Sequence, residues 1–463
     1  MSDDTQGVDD LDDDPTGDDP TAVDDEVDVD ALRASSQAGD EVEPGDDQDE
    51  RVVRAGTAGT DDSSRRFRRL PPAPTASLLD MIEGRAPMFL MHKSHQHSQH
   101  IPELLGAARR RVRGRAGLGV VVRLPKMAPA AANAYLSSCT AATMKVADPE
   151  IYTITGSGSP TPPPAKATQH HPWMRGIPTF PNPGWVRDVL QAQADAGANV
   201  FLSGSGWVGS TTGRTELATA MDWVRASRAE LADENMFVNL TLPSTWLTNA
   251  GLRGALKQEL VESNEHLWWL RFYWPVVEPR YGQLTDRAIL DGYRDLATTA
   301  TLEDKVLVLP NSGLTGWMAT AWGAQGFSTG TSWTEQLYGA QPIRRSTPGR
   351  PKATPVERYF DRTILHSVPH AVHLTLQGQP NHLTCACRFC RRLAGAATYN
   401  QPTANLHYLL ECASLTGELN DRRPGHQALR EVRDARAFLT AMPTPLTASA
   451  RPLHLPEWES RLP

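Results

Sequence analysis

Cys385, Cys387 and Cys390 stand in the spacing C-x-C-x-x-C. A turn of that length can bring three sulfurs onto one ion, and zinc at structural sites takes four Cys or His ligands in a closed tetrahedron. The knuckle therefore predicts bound Zn2+ and requires a fourth donor. Downstream, Asn405-Leu406-His407-Tyr408-Leu409-Leu410-Glu411-Cys412 spaces apolar residues at 406, 409 and 410 behind Pro402, which predicts a helix carrying His407 and Cys412. His407 is the expected fourth ligand, and His382 and Cys412 compete with it.

Other residues could handle protons or touch a substrate. Asp148, in Ala147-Asp148-Pro149-Glu150, ends an apolar run and is a candidate acid, base or nucleophile. Glu278, beyond Tyr273-Trp274-Pro275, is a candidate second carboxylate. His92 begins a stretch with four histidines in nine positions, His92, His95, His97 and His100, read as a polar loop facing substrate or solvent. Ser205, Trp207, Asn239, Asn311 and Gly313 are candidate substrate contacts, Gly313 because glycine lets a backbone approach closely. Trp246, Trp274 and Trp317 join Trp207 as rings that could stack on bases or sugars.

Most of these residues follow short apolar runs. We count eight, at Met88 to Met91, Leu118 to Arg123, Met144 to Ala147, Asn199 to Ser203, Met236 to Thr241, Leu267 to Tyr273, Lys305 to Leu309 and Gly326 to Thr329. Helical patterns such as Trp185 to Ala196 and Thr215 to Ala232 lie between them, the rhythm of βα units around a parallel sheet. Eight such units predict a (β/α)8 TIM barrel, whose chemistry sits where strands end. The Pro-, Gly- and Ser-rich segment from Tyr152 to Phe180 is expected to be a long loop. We divide the chain into an acidic tail over 1–65, the barrel over 66–343, a zinc-binding region over 344–440 and a Pro-rich tail over 441–463.

Charge is divided as sharply as structure. The formal net charge is -8, yet residues 1 to 62 hold 23 acidic side chains against Arg33, Arg51 and Arg54, so the rest of the chain carries +12. The acidic segment has too few apolar side chains to offset chain entropy and is expected to be disordered. The basic body, with clusters at Arg65 to Arg69 and Arg109 to Arg115, suits a polyanion such as nucleic acid. No long apolar run or basic-then-apolar leader is visible, and the five cysteines form no disulfide framework, so a cytoplasmic protein without membrane contact is expected. A homodimer or a partner protein is compatible with this composition.

The C-x-C-x-x-C knuckle followed by Asn-Leu-His-Tyr, together with Gly323-Ala324-Gln325-Gly326-Phe327-Ser328-Thr329-Gly330 at the eighth run, resembles the tRNA-guanine transglycosylase superfamily. The likeness covers roughly residues 87 to 415 and is specific in the last third. It implies a zinc-bearing barrel and base exchange on nucleic acid of the 7-deazaguanine (queuosine) modification type. Aligning Asn405-Leu406 puts the family's zinc histidine on Ala404, with His407 three residues on. The family's nucleophilic aspartate falls on Ser328, its second catalytic aspartate maps by strand order to Asp148, and Asn239 occupies its fifth-strand amide position. Serine needs a strong neighbouring base to act as a nucleophile, and no Ser-His pairing is legible in the sequence. The alternatives are a catalytically inactive nucleic-acid-binding relative and a carbohydrate-active barrel using Asp148 and Glu278.

Overall fold

Each of the eight apolar runs is a strand. They are β1 Met88–His92, β2 Gly117–Arg123, β3 Met144–Asp148, β4 Phe201–Leu202, β5 Met236–Pro243, β6 Leu267–Tyr273, β7 Val306–Leu309 and β8 Gly326–Thr329. The computed structural model describes residues 75–93, 98–154, 159–231, 235–277, 281–331, 333–340, 356–396, 398–420 and 422–463. The acidic segment 1–65 lies outside them. Residues 67–463 group as one compact unit.

All strand pairs of the main sheet are parallel, in the order β3-β2-β1-β8-β7-β6-β5-β4, so that β8 returns to β1 and the sheet is a nearly closed (β/α)8 barrel. The remaining seam, between β3 and β4, is bridged by one side chain. Asn199 accepts from the Lys145 amide at 2.7 Å, donates to the Thr143 carbonyl at 2.8 Å, and its own amide donates to the Lys145 carbonyl at 3.1 Å. These bonds take the place of a ladder where β4 has only two residues.

Strand residues alternate between two apolar clusters, as the two-residue period of a strand requires. Met88, Leu90, Val121, Val146, Phe237 and Trp269 fill the lumen, while Phe89, Met91, Val120, Val122 and Leu270 pack outward against the helices. Phe237 and Trp269 meet edge to face across the lumen at 6.0 Å. Following the same parity one step toward the strand ends brings a polar side chain over the lumen on six strands: Leu90 is followed by His92, Val121 by Arg123, Val146 by Asp148, Phe237 by Asn239, Trp269 by Arg271 and Gly326 by Ser328, whereas Leu202 and Val308 are followed by Gly204 and Pro310.

The segment from Tyr152 to Phe180 carries three helical turns, Ile151–Thr153, Ala167–His170 and Pro172–Arg175, so it is a structured excursion and not an irregular loop throughout. After β8 an antiparallel ribbon, β9 Arg358–Asp361 with β10 His366–Pro369, precedes the short helices His370–Gln377 and Arg388–Ala394 and the long helix Gln401–Glu418. Asn400 caps that long helix through its side chain, and Pro402 stands in its first turn, where a missing amide hydrogen costs nothing. Its buried face packs on the first barrel helix, Ile101–Val112. At the C-terminus Trp458 is fully buried, 6.3 Å from Trp317, and donates to the Leu284 carbonyl. Among the described residues no helix is long and apolar enough to cross a membrane.

Candidate active site and metal centre

The polar layer at the barrel mouth is organised by two ion pairs, one wholly buried and one with a half-buried arginine. Arg271, inside the apolar run of β6, donates through Nη2 to Asp148 Oδ2, through Nε to Asn311 Oδ1 at 3.1 Å and through Nη1 to Thr241 Oγ1 at 3.4 Å. Arg271 and Asp148 are each only 1% exposed, so each must find its charge partner inside the protein. Arg123 donates Nε and Nη2 to the two oxygens of Glu150. Glu150 also accepts from Tyr152 Oη at 2.9 Å, and its amide donates to Asp148 Oδ1 at 2.8 Å. The Tyr152 ring lies under the Arg271 guanidinium at 4.8 Å.

This arrangement splits the two carboxylates. Burial raises Glu150, but the charge and hydrogen bonds of Arg123 outweigh it and hold that carboxyl below its ordinary range. Burial also raises Asp148; Arg271 opposes this only in part, the charge of Glu150 adds to it, and Asp148 stays raised. The two neighbouring carboxyl groups are thus pushed in opposite directions, Asp148 up and Glu150 down.

Ser328 has a histidine partner after all. His92 Nε2 lies 2.7 Å from Ser328 Oγ, which also accepts from the Asn311 amide at 3.1 Å. Burial first, and then the charges of Arg271 and Arg123, lower His92 to about 3, so the ring is neutral but a weak base, a hydrogen-bond partner that orients Ser328 more than it activates it. Among the described residues His92 Nδ1 has no partner, and no carboxylate of theirs orients the ring from behind.

The other expected contacts divide between the mouth and the frame. Ser203 and Ser205 are wholly buried and joined at 2.7 Å. Ser205 Oγ donates to the Asn239 carbonyl, and the Asn239 amide donates to Ser203 Oγ. They tie β4 to β5 and leave Asn239 Oδ1 unpartnered toward the polar layer. Asn311 adopts a left-handed backbone, φ 51°, that turns its amide onto Ser328. Gly313 is not a ligand contact: a Cβ there would stand 2.6 Å from Gly282 Cα and 2.8 Å from the Gln336 carbonyl, so glycine is required by close packing of chain on chain. Trp246, Trp274 and Trp317 are fully buried and donate to Gly209, Tyr293 and Leu415, which makes them core side chains and not stacking platforms. Trp207 alone of the four is half-buried at the mouth, edge-on to Tyr273 at 6.2 Å. Glu278, with His95 and His97, lies outside the described residues.

Arg123, Tyr152 and Arg271 are not among the expected site residues, and Glu150 enters the sequence reading only as the neighbour of Asp148. A signal was present. An arginine at a lumen-facing position of an apolar strand must be paired, and Arg271 in Leu-Trp-Trp-Leu-Arg-Phe-Tyr is such a residue.

The knuckle forms as its spacing predicts. Cys387 caps the helix Arg388–Ala394, its sulfur accepting from the Cys390 amide at 3.4 Å. Cys387 and Cys390 sulfurs are 3.4 Å apart, and His407 Nδ1 lies 3.6 and 3.3 Å from them; with Cys385 the four ligand atoms fall within 4.8 Å of one another. Zinc bound at about 2.3 Å to sulfur and about 2.0 Å to nitrogen separates tetrahedral ligands by roughly 3.5 to 3.8 Å, so the donor set fits the ion. His407 Nε2 donates to the Phe360 carbonyl at 3.0 Å, the outer bond that turns Nδ1 toward a metal. Buried Glu411, beside the cluster, accepts from Cys385 Sγ at 3.3 Å and is paired with Arg111 and Arg362, of which Arg111 also reaches Cys385. His382 pairs instead with Asp361, and Cys412 is buried in the core, so neither competing ligand reaches the cluster.

No family model, curated protein or solved structure matches this chain. Fold and site alone define its class: a (β/α)8 barrel with a charged, buried mouth and a Cys3His cluster able to hold a metal ion.

Proposed function

We propose that the chain is a divergent transglycosylase-like enzyme that breaks the glycosidic bond of a nucleoside in nucleic acid, with base exchange as the natural outcome. The observation that carries this reading is the convergence of His92, Asp148 and Ser328, from β1, β3 and β8, on one polar layer above the lumen. Departure of a base passes through an oxocarbenium-like state that carboxylates stabilise, and the leaving base needs a proton. In this reading Asp148, the carboxyl that burial raises, is assigned the proton transfer once substrate draws Arg271 away from it, Glu150 the fixed negative charge, and His92 the orientation of the incoming group through its hydrogen bond to Ser328. The Cys3His cluster is structural: bound zinc would lock the segment after the barrel.

A basic face supports a nucleic-acid substrate. Arg109, Arg110, Arg113 and Arg115 are exposed on and just beyond the helix Ile101–Val112, and Arg391 and Arg392 are exposed on the knuckle helix. Glu103 pairs with both Arg388 and Arg392 and holds the two helices together. The second reading, a silent relative that only binds nucleic acid, is favoured by one feature: both carboxylates at the mouth are neutralised by arginines, and position 328 is serine.

The test is to incubate the purified full chain with tRNA and, separately, with genomic DNA, each in the presence of a free guanine or 7-deazaguanine base as the incoming group, then digest both to nucleosides for mass spectrometry. The enzyme reading expects one purine nucleoside to decrease, with its free base released. Salt-dependent binding with no altered nucleoside in either pool selects the binding module.

A further inference from the structure

Beside the Cys3His cluster, and independent of the barrel mouth, three side chains from three separate elements converge. Asp361 ends β9, His373 lies in the helix His370–Gln377, and His382 sits in the turn before the knuckle. Their side chains are 1%, 6% and 3% exposed. His373 Nδ1 and His382 Nε2 meet the same carboxylate oxygen, Asp361 Oδ2, at 2.7 and 3.0 Å, and the three ligand atoms lie within 4.8 Å of one another. We propose that Asp361, His373 and His382 form a second metal site, taking a divalent first-row transition ion through two imidazoles and one carboxylate.

Two features argue for a metal over a plain hydrogen-bonded cluster. The carboxylate is pre-oriented, because its other oxygen accepts from the Thr363 amide at 2.9 Å and Thr363 Oγ1 in turn accepts from the Leu383 amide at 3.0 Å, which fixes the turn carrying His382. Such outer-sphere bonds are how proteins aim ligands at an ion. Second, His382 Nδ1 is buried with no partner among the described residues, a cost that hydrogen bonding to Asp361 does not remove and that ordering the ring around a strongly held ion offsets. Two imidazoles and a carboxylate, with no thiolate, suit Zn2+, Co2+, Fe2+ or Ni2+ and disfavour Ca2+ or Mg2+.

The site is wired to the first cluster. Tyr359, two residues before Asp361, is stacked between His373 at 3.8 Å and His407 at 4.5 Å, and its hydroxyl lies 3.1 Å from Cys390 Sγ. Phe360, between them, accepts from His407. A cation on Asp361 therefore braces the strand that orients the zinc histidine.

The full chain is expressed with Co2+ as the only transition metal supplied and is examined by elemental analysis and absorption spectroscopy. Two cobalt ions per chain are expected, with near-ultraviolet thiolate-to-cobalt bands accounting for one. His382→Gln should lower the count to one while leaving the thiolate bands intact, and those bands also report that the knuckle has folded. Asp361→Asn, which keeps an oxygen for the Thr363 amide, should do the same. One cobalt per chain in the wild type, or two in both variants, overturns the proposal.

Discussion

His92 Nε2 and Ser328 Oγ lie 2.7 Å apart although 236 residues separate them in sequence. The contact arises because β8 pairs with β1 at the closure of the barrel, with Leu90 in register with Ser328, so that His92 is the next lumen-facing residue above it. Removing the serine hydroxyl leaves a buried imidazole nitrogen without a partner. Ser328→Ala should lower stability by about 1–3 kcal/mol, read as a lower urea midpoint at unchanged slope. An unchanged midpoint would mean that His92 is already satisfied elsewhere.

The Asp148–Arg271 pair is wholly buried, which changes what an Asp148 variant reports. Asp148→Asn leaves the Arg271 charge uncompensated and should destabilise by about 3–5 kcal/mol, whatever it does to turnover. The double variant Asp148→Leu with Arg271→Met should recover much of that loss while remaining inactive. Thermal unfolding of the three proteins decides this, and a fully stable single variant would show that the pair does not matter to the fold.

Acid should unfold the protein early. Burial, aided by nearby arginines, lowers His92 and His366 to about 3 each, against an ordinary value near 6.5. Between about pH 6.5 and pH 3 the unfolded chain binds protons on these rings that the folded chain refuses, so stability is full above that window and falls as pH drops through it, by up to about 1.4 kcal/mol per pH unit for each ring. His92→Gln should flatten this slope in pH-dependent urea titrations. A slope unaffected by that change would assign the acid sensitivity to other groups.

Metal content should separate the cysteines. A Cys385, Cys387 and Cys390 triple serine variant should lose the thiolate-bound metal and unfold β9 with the knuckle, because His407 is oriented by that strand. Cys412→Ser should retain the metal, since Cys412 is packed in the core. Thiolate-bound metal lost from the Cys412 variant would reinstate it as a ligand.

The tryptophans should likewise divide. Trp317→Ala opens a cavity in the core and should cost about 3–5 kcal/mol. Trp207→Ala, at the half-buried mouth, should shift stability by no more than about 1 kcal/mol and weaken oligonucleotide binding several-fold if its ring stacks on a base. Fluorescence titration with a short labelled oligonucleotide tests the second part.

The amino-acid sequence by itself determined the strands, because each is a short apolar run buried on both faces and bounded by turn residues, and their number with the intervening helices specifies the barrel. It determined the knuckle for a similar local reason: C-x-C-x-x-C positions its own sulfurs within one turn. Asp148 and His92 were legible as strand-end polar residues. Tertiary structure alone decided what they do there. The pairing of His92 with Ser328, of Asp148 with Arg271 and of Asp361 with His373 and His382 depends on contacts between separate elements, and no local spacing encodes a distance across a closed barrel. The choice of His407 over His382 and Cys412 was settled in the same way, by the packing of the helix Gln401–Glu418 against β9, which gave each of the three side chains a different neighbour.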